Sequence, residues 1–173
     1  MPIKDWIDGD RPPASDLNRY PLQQVHVIKA ADESVGTSTT MQDDDHLFAA
    51  VEAGTDYWLQ AYLIYEGEIG ADLKIGWSAP SGTTFNWMSD SLGSGTTDTA
   101  CRGAVSRSLQ LLTSQPGPGT LGAGILAISL PRGVVQVGGT SGTLRFRWAQ
   151  LVNTVTPTIV KAGSMLRLRR LTT

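Results

Sequence analysis

Three consecutive aspartates and a histidine, Asp43, Asp44, Asp45 and His46, are the residues here whose types come nearest to a metal-ligand set. A calcium loop takes oxygens from alternating positions and needs a glycine that lets the chain curl, and no glycine interrupts this run. Consecutive residues of an extended chain point in opposite directions, so the run reads as a solvated turn ahead of a strand, and no metal site is expected. The only two histidines are His26, on a predicted strand, and His46, at a strand start. There is no GxSxG elbow, no HExxH pair and no phosphate-binding glycine loop, and no pair of carboxylates stands at a spacing that identifies acid–base work. Neither catalytic residues nor a cofactor are expected. Cys101 is alone, which excludes an intrachain disulfide framework and a cysteine-based zinc site. The remaining candidates are aromatic: Trp58, Tyr62, Tyr65, Phe85 and Trp87 would stack on sugar rings where exposed, and fill a core where not.

Charge is unevenly distributed. All 16 acidic residues stand at or before Asp98 with five basic ones, a balance of −11, and nine basic residues with no acid follow, a balance of +9. One reading is a nucleic-acid surface at Arg145, Arg147, Arg167, Arg169 and Arg170. The other sets late basic strands beside early acidic ones, within the chain or across a subunit boundary. With a net charge of −2 and a pI near 5.6 the second is preferred, and no nucleic-acid partner is expected.

The elements that position these residues are strands. From Asp56 to Glu66 one parity holds Tyr57, Leu59, Ala61, Leu63 and Tyr65, and the other holds Trp58, Gln60, Tyr62, Ile64 and Glu66. That is a period of two at strand density, with bulk on both faces, so the strand is expected at the centre of a sheet, its second face packed on another sheet or a neighbouring subunit. After two turn glycines, Ala71, Leu73, Ile75 and Trp77 alternate with Asp72, Lys74, Gly76 and Ser78, one apolar face and one wet face. Further strands are expected over 24–30, 46–53, 83–88, 105–112, 122–130, 133–139, 143–151 and 158–161, and in a last strand whose Leu166 and Leu168 face in while Arg167 and Arg169 face out. Gln115 to Gly119 reads as a turn and 89–99 as an exposed loop. No segment has a sustained helical repeat. The expected fold is an all-β antiparallel β-sandwich, jelly-roll-like, over 23–173.

Residues 1–22 differ in kind. Pro2, Pro12, Pro13 and Pro21 with Asp5, Asp8 and Asp10 exclude a long helix or a central strand, while Trp6, Ile7, Leu17 and Tyr20 are spaced apolar anchors. This composition fits an extended N-terminal docking arm that orders against a partner. No leader and no bilayer-spanning apolar run is found, so no secretion and no membrane insertion are expected.

Three stretches resemble a domain of minor tail and other virion proteins of phages that infect actinobacteria: IKAADESVGTSTTMQDDDHLFAAVEAGTDYWLQAYLIYEG, ADLKIGWSAPSGTTFNWM and GTSGTLRFRWAQLVNTVTPTIVKAGSMLRLRRL. The arm, DWIDGDRPPASDLNRY, is similar to a looser entry motif at the start of phage tail proteins. The resemblance implies a virion structural protein assembled in the host cytoplasm: a homotrimeric knob joined by its arm to capsid or tail proteins. Tail fibre, capsid decoration and head fibre all fit, with a tip module for a host surface glycan as the alternative. It carries over no catalytic residue.

Overall fold

The computed structural model describes Arg11, 24–96 and 104–171. The described residues form thirteen strands and no helix, all paired antiparallel. They are β1 (Gln24–Ile28), β2 (Glu33–Val35), β3 (Gln42–Val51), β4 (Asp56–Gly67), β5 (Leu73–Ser78), β6 (Thr84–Met88), β7 (Ser91–Leu92), β8 (Val105–Ser106), β9 (Gly122–Ser129), β10 (Arg132–Gln136), β11 (Gly142–Gln150), β12 (Thr158–Val160) and β13 (Met165–Leu171). The larger sheet runs β1-β13-β4-β10-β6, with β9, β12 and β2 extending it along the far half of β4. A smaller sheet runs β3-β11-β5. Long strands cross repeatedly between the two: β3 lies in the small sheet, β4 in the large, β5 in the small and β6 in the large. This alternation makes the fold an antiparallel, jelly-roll-like sandwich.

The two parities of β4 decide the layering. Tyr57, Leu59, Ala61, Leu63 and Tyr65 are buried, and they meet Leu47, Ala49, Ile75, Leu144, Phe146 and Trp148 of the small sheet in one core. The aromatic centre of that core spans both sheets. Trp77 of β5 meets Phe85 and Trp87 of β6 edge-on at 5.7 and 6.1 Å between ring centroids, and Phe146 at 5.4 Å. Edge-to-face geometry sets positive ring edges against negative faces, so a cluster of this kind fixes the spacing of the sheets as well as filling it. In β13, Leu166 and Leu168 face in as expected.

Where β10 passes between β4 and β6 the backbones come too close for a side chain. A Cβ on Gly133 would stand 2.2 Å from the Asn86 carbonyl oxygen and 2.6 Å from Trp87 Cα. Glycine is required there by proximity.

Four expectations are corrected. Asp43 to Asp45 do not form a turn ahead of a strand but lie within β3. The pairing of β3 with β11 advances from Phe48 to Asp43 while β11 advances only from Arg145 to Arg147, so β3 carries a bulge. Asp44 Oδ1 holds that bulge by accepting from the amides of His46 at 2.9 Å and Leu47 at 2.8 Å. The strand expected over 105–112 shrinks to β8 plus a bridge of Gln110 to Trp87. The prolines from Gln115 to Gly119 make no tight turn. They run beside β5, where Pro116 and Pro118 carbonyls accept from the Ile75 and Leu73 amides, an edge role open to a residue without an N–H. Asp72, assigned to the wet face, is buried. It takes a left-handed φ of 50°, and its carboxylate accepts from Thr120 N, Ser94 Oγ and Gly95 N, tying two loops to the start of β5.

Much of the charge asymmetry resolves within the chain. Arg145 and Arg147 pair with Asp43, Arg107 and Arg132 with Asp90, Lys161 with Asp32 and Glu66, and Arg170 with Glu52. Arg145 also lies over the Phe48 ring at 4.5 Å. These late basic residues meet the early acidic ones.

Candidate functional site

Cross-strand partners point to the same side of a sheet, so the pairing registers define rows across the outer face of the large sheet. One row is Gln24, Arg169, Trp58 and Val134; the next is His26, Arg167, Gln60 and Arg132. The third joins Ile28, Met165 and Tyr62, and the fourth pairs Ile64 with Ile128. The face is graded: polar and basic at one end, apolar at the other. Ile28 is 64% exposed, Leu126 54% and Ile128 45%, while Tyr62 and Ile64 are half-buried between their neighbours. Exposed Ile28 on β1 and Leu126 and Ile128 on β9 thus flank the half-buried Met165, Tyr62 and Ile64, and an apolar surface of this kind marks interaction sites more often than free monomer surface. No second sheet of the described residues covers them.

The five aromatic candidates separate by parity. Trp58 and Tyr62 stand on the outer face of β4 and remain available for stacking. Tyr65, Phe85 and Trp87 are buried, at 0%, 1% and 2% exposure, which removes them as contact residues. Their polar atoms turn inward too: Tyr65 Oη donates to the Gly119 carbonyl at 3.0 Å and Trp87 Nε1 to the Leu111 carbonyl at 3.0 Å. Aromatic type marks a strand, but only the side of the sheet separates platform from core. The arm anchors Trp6, Ile7, Leu17 and Tyr20 lie outside the described residues, as does Cys101.

A second cluster was missed in the sequence. Lys29, just past β1, is a lysine with a fully buried side chain. Its Nζ donates to Asp44 Oδ2 at 2.7 Å and to Glu33 Oε2, with His46 Nδ1 at 3.5 Å. Glu33 Oε1 accepts from the Asp45 amide at 2.9 Å. Burial pushes the Glu33 carboxyl above its usual value, and Lys29 only partly offsets that. For Asp44 burial acts in the same upward direction but is outweighed by hydrogen bonds from Lys29, Glu33 and the amides of His46 and Leu47, which hold it below the usual range.

Glu33, Asp44 and His46 have ligand atoms within 4.8 Å of one another, the spacing of a metal site. The Lys29 ammonium already occupies the position between the two carboxylates, and a divalent ion there would face a buried positive charge at contact distance. The donor set does not fit a metal. Chelation is accordingly expected to leave the melting temperature unchanged, and a large loss restored by calcium would overturn that expectation.

Between the sheets an open cleft of about 740 Å³ is lined by Gln24, Val25, Glu52, Tyr57, Thr143 and Arg170 among others. Arg170 Nη1 donates to Glu52 Oε2 at 2.7 Å across it, and the Tyr57 hydroxyl accepts from the Glu52 amide at 3.0 Å. These groups are mutually satisfied, which makes the cleft a weaker candidate than the outer face.

No protein-family model and no curated protein matches the sequence. Among solved structures, the tripod (BppUct-A-L) from the baseplate of bacteriophage Tuc2009 is similar at 14% identity and a TM-score of 0.36, over 99% of this chain and 75% of that one. Infectious bursal disease virus, Gt strain, is similar at 13% identity and a TM-score of 0.25. The VP2 subviral particle of the same virus reaches 11% and 0.23. The chain aligns with 42% and 39% of those two viral chains.

Proposed function

We propose that the chain is a structural component of a phage virion, attached by residues 1–22 and projecting its sandwich from the particle as a homotrimeric knob. The observation that supports this most is the outer face of β4. Trp58, Tyr62 and Ile64, with Ile28, Leu126 and Ile128 beside them, form an apolar surface on a strand that is central in its own sheet. Association of copies would remove it from water at roughly 25 cal/mol per Å² of apolar area. The resemblance of three long stretches to actinobacteriophage virion proteins points the same way. Capsid decoration, head fibre and tail fibre are alternative placements of one architecture, all virion locations reached by assembly in the host cytoplasm. Catalysis has no part in this reading.

Sedimentation of the full chain is the first test: a stable trimer is expected, and a monomer at micromolar concentration, alone and on particles, would overturn the trimer. The arm is tested separately. Deleting residues 2–20 is expected to leave a folded sandwich that no longer incorporates into particles, with Trp6→Ala the most damaging single change. Normal occupancy of the truncated chain, seen by imaging particles, would move attachment to the sandwich.

Trp58 and Tyr62 also sustain a second reading, a module that binds a host surface glycan. Loss of binding to host envelope polysaccharide in Trp58→Ala, with the trimer intact, would favour it over a purely structural role.

A further inference from the structure

The Lys29 cluster has the parts of an intramolecular acylation site. A primary amine and a carboxylate are held 2.7 Å apart, both with fully buried side chains. A second carboxyl group, Glu33, touches the same amine from the next strand, β2. The other oxygen of the Asp44 carboxylate, Oδ1, faces away from Lys29 and accepts from two backbone amides, of His46 and Leu47. Two preorganised N–H donors on one carboxyl oxygen are what a tetrahedral oxyanion needs. A plain buried ion pair explains the first contact. It does not by itself call for a second, half-buried carboxyl group, which adds a desolvation cost.

We propose that Lys29 and Asp44 join in an isopeptide bond, Nζ to Cγ, formed by the folded chain itself with Glu33 as the proton carrier.

The chemistry balances without a co-reactant. Lys29 begins as an ammonium, Asp44 as a carboxylate and Glu33 as a neutral acid, the form its burial favours. One ammonium proton passes to Asp44 Oδ2, which exchanges two buried ions for two neutral groups. The amine lone pair attacks Cγ, and the charge that develops on Oδ1 is held by the His46 and Leu47 amides. Glu33 gives its proton to Oδ2 and takes one from Nζ. Oδ2 departs with two protons as water, the third nitrogen proton remains on the amide, and Glu33 is regenerated. The Nζ–Cγ bond forms, the Cγ–Oδ2 bond breaks, and no atom is oxidised or reduced. Fixing amine and carboxyl in contact supplies the high effective concentration that an uncatalysed amide bond lacks, and the burial of both side chains disfavours hydrolysis.

Lys29 is held in register for this step by its backbone, whose amide donates to Ser164 O at 2.8 Å and whose carbonyl accepts from Gly163 at 2.9 Å. The bond would tie the end of β1, the strand that follows residues 1–22, to β3 of the opposite sheet. A pull applied through the chain's start would then load a covalent link, where the sheet edge β1–β13 alone would have to carry it.

The test is mass spectrometry of the intact full chain, followed by a tryptic digest. The expected result is a mass below that of the sequence by one water, and a tryptic peptide spanning 20–74, uncleaved after Lys29 and looped between Lys29 and Asp44, which cleavage after Glu33 opens into a branched peptide. A full sequence mass with a linear peptide ending at Lys29 overturns the proposal, as does a water loss that maps to a linear peptide. Because these readouts use the unaltered chain, they do not depend on any variant folding. Glu33→Gln is expected to slow the loss of water by roughly a hundredfold or more, the usual scale for removing a general acid–base group. A wild-type rate in that variant overturns the role given to Glu33.

Discussion

Trp148→Ala is expected to lower the stability of the sandwich by about 3 to 5 kcal/mol, the usual cost of emptying a large aromatic from a core. Trp148 has no exposed surface, and it sits in the middle strand of the small sheet, paired with Ile75 of β5 on one side and Gln42 of β3 on the other. Its neighbours on the same parity, Leu144 and Phe146, are also fully buried. The cavity would open where three strands meet, and collapse into it would require the backbone of β11 to move away from two hydrogen-bonded partners. Urea or thermal unfolding of the variant reads the loss directly. A melt unchanged within error would take β11 out of the core.

Lys29→Met is expected to cost a similar amount, about 3 to 5 kcal/mol near neutral pH, for an electrostatic reason. The substitution keeps most of the volume but leaves the buried Asp44 carboxylate without its cation, beside the half-buried Glu33. An amide between Lys29 and Asp44 would make the loss larger, since it also closes the chain between β1 and β3. For the unlinked chain, in which Asp44 keeps its carboxyl, the pH dependence has a definite sign. The Asp44 carboxyl is held below its ordinary value of 3.8, so its contribution is fully present above that pH and is lost as the pH falls through the lower folded value. Glu33 is shifted upward from 4.5, so it favours the fold below that pH and opposes it as the pH rises through the folded value. The gap between wild type and variant is expected to be widest at neutral pH, and to narrow in acid as Asp44 takes up a proton. A gap that stays constant down to pH 3 would show that packing alone is at stake.

Strands, their faces and the sandwich class follow from local pattern. The period of two is enforced by the pleat, so the parities of β4, β11 and β13 translate directly into inside and outside once either face is known. Leu166 and Leu168 against Arg167 and Arg169 leave only one economical orientation at a water boundary, and Leu144, Phe146 and Trp148 likewise share one buried face. The match of late basic with early acidic residues is also legible, because a chain with its charges so separated neutralises them most simply by antiparallel pairing.

Pattern fails where both faces of a strand carry similar residues or where partners are distant in sequence. Trp58 and Tyr65 belong to one aromatic-rich strand, and only the placement of the small sheet over the Tyr65 parity makes one a surface group and the other core. Asp72 alternates like a solvent-facing residue. It is buried because loops from 93–96 and 119–120 converge on its carboxylate, a closure over separations that no local window contains. Asp44 sits among three identical residues, and nothing local distinguishes it from Asp43 or Asp45. The bulge in β3 turns its side chain inward, and the packing of β1 against β3 brings Lys29 to meet it across 15 positions of sequence. Propensity and alternation act over a few residues, so they locate the long strands and the apolar side of each. Which polar groups are drawn inside, and which of them touch, was decided only by the tertiary structure, because a buried charge is tolerated solely where a distant partner arrives to satisfy it.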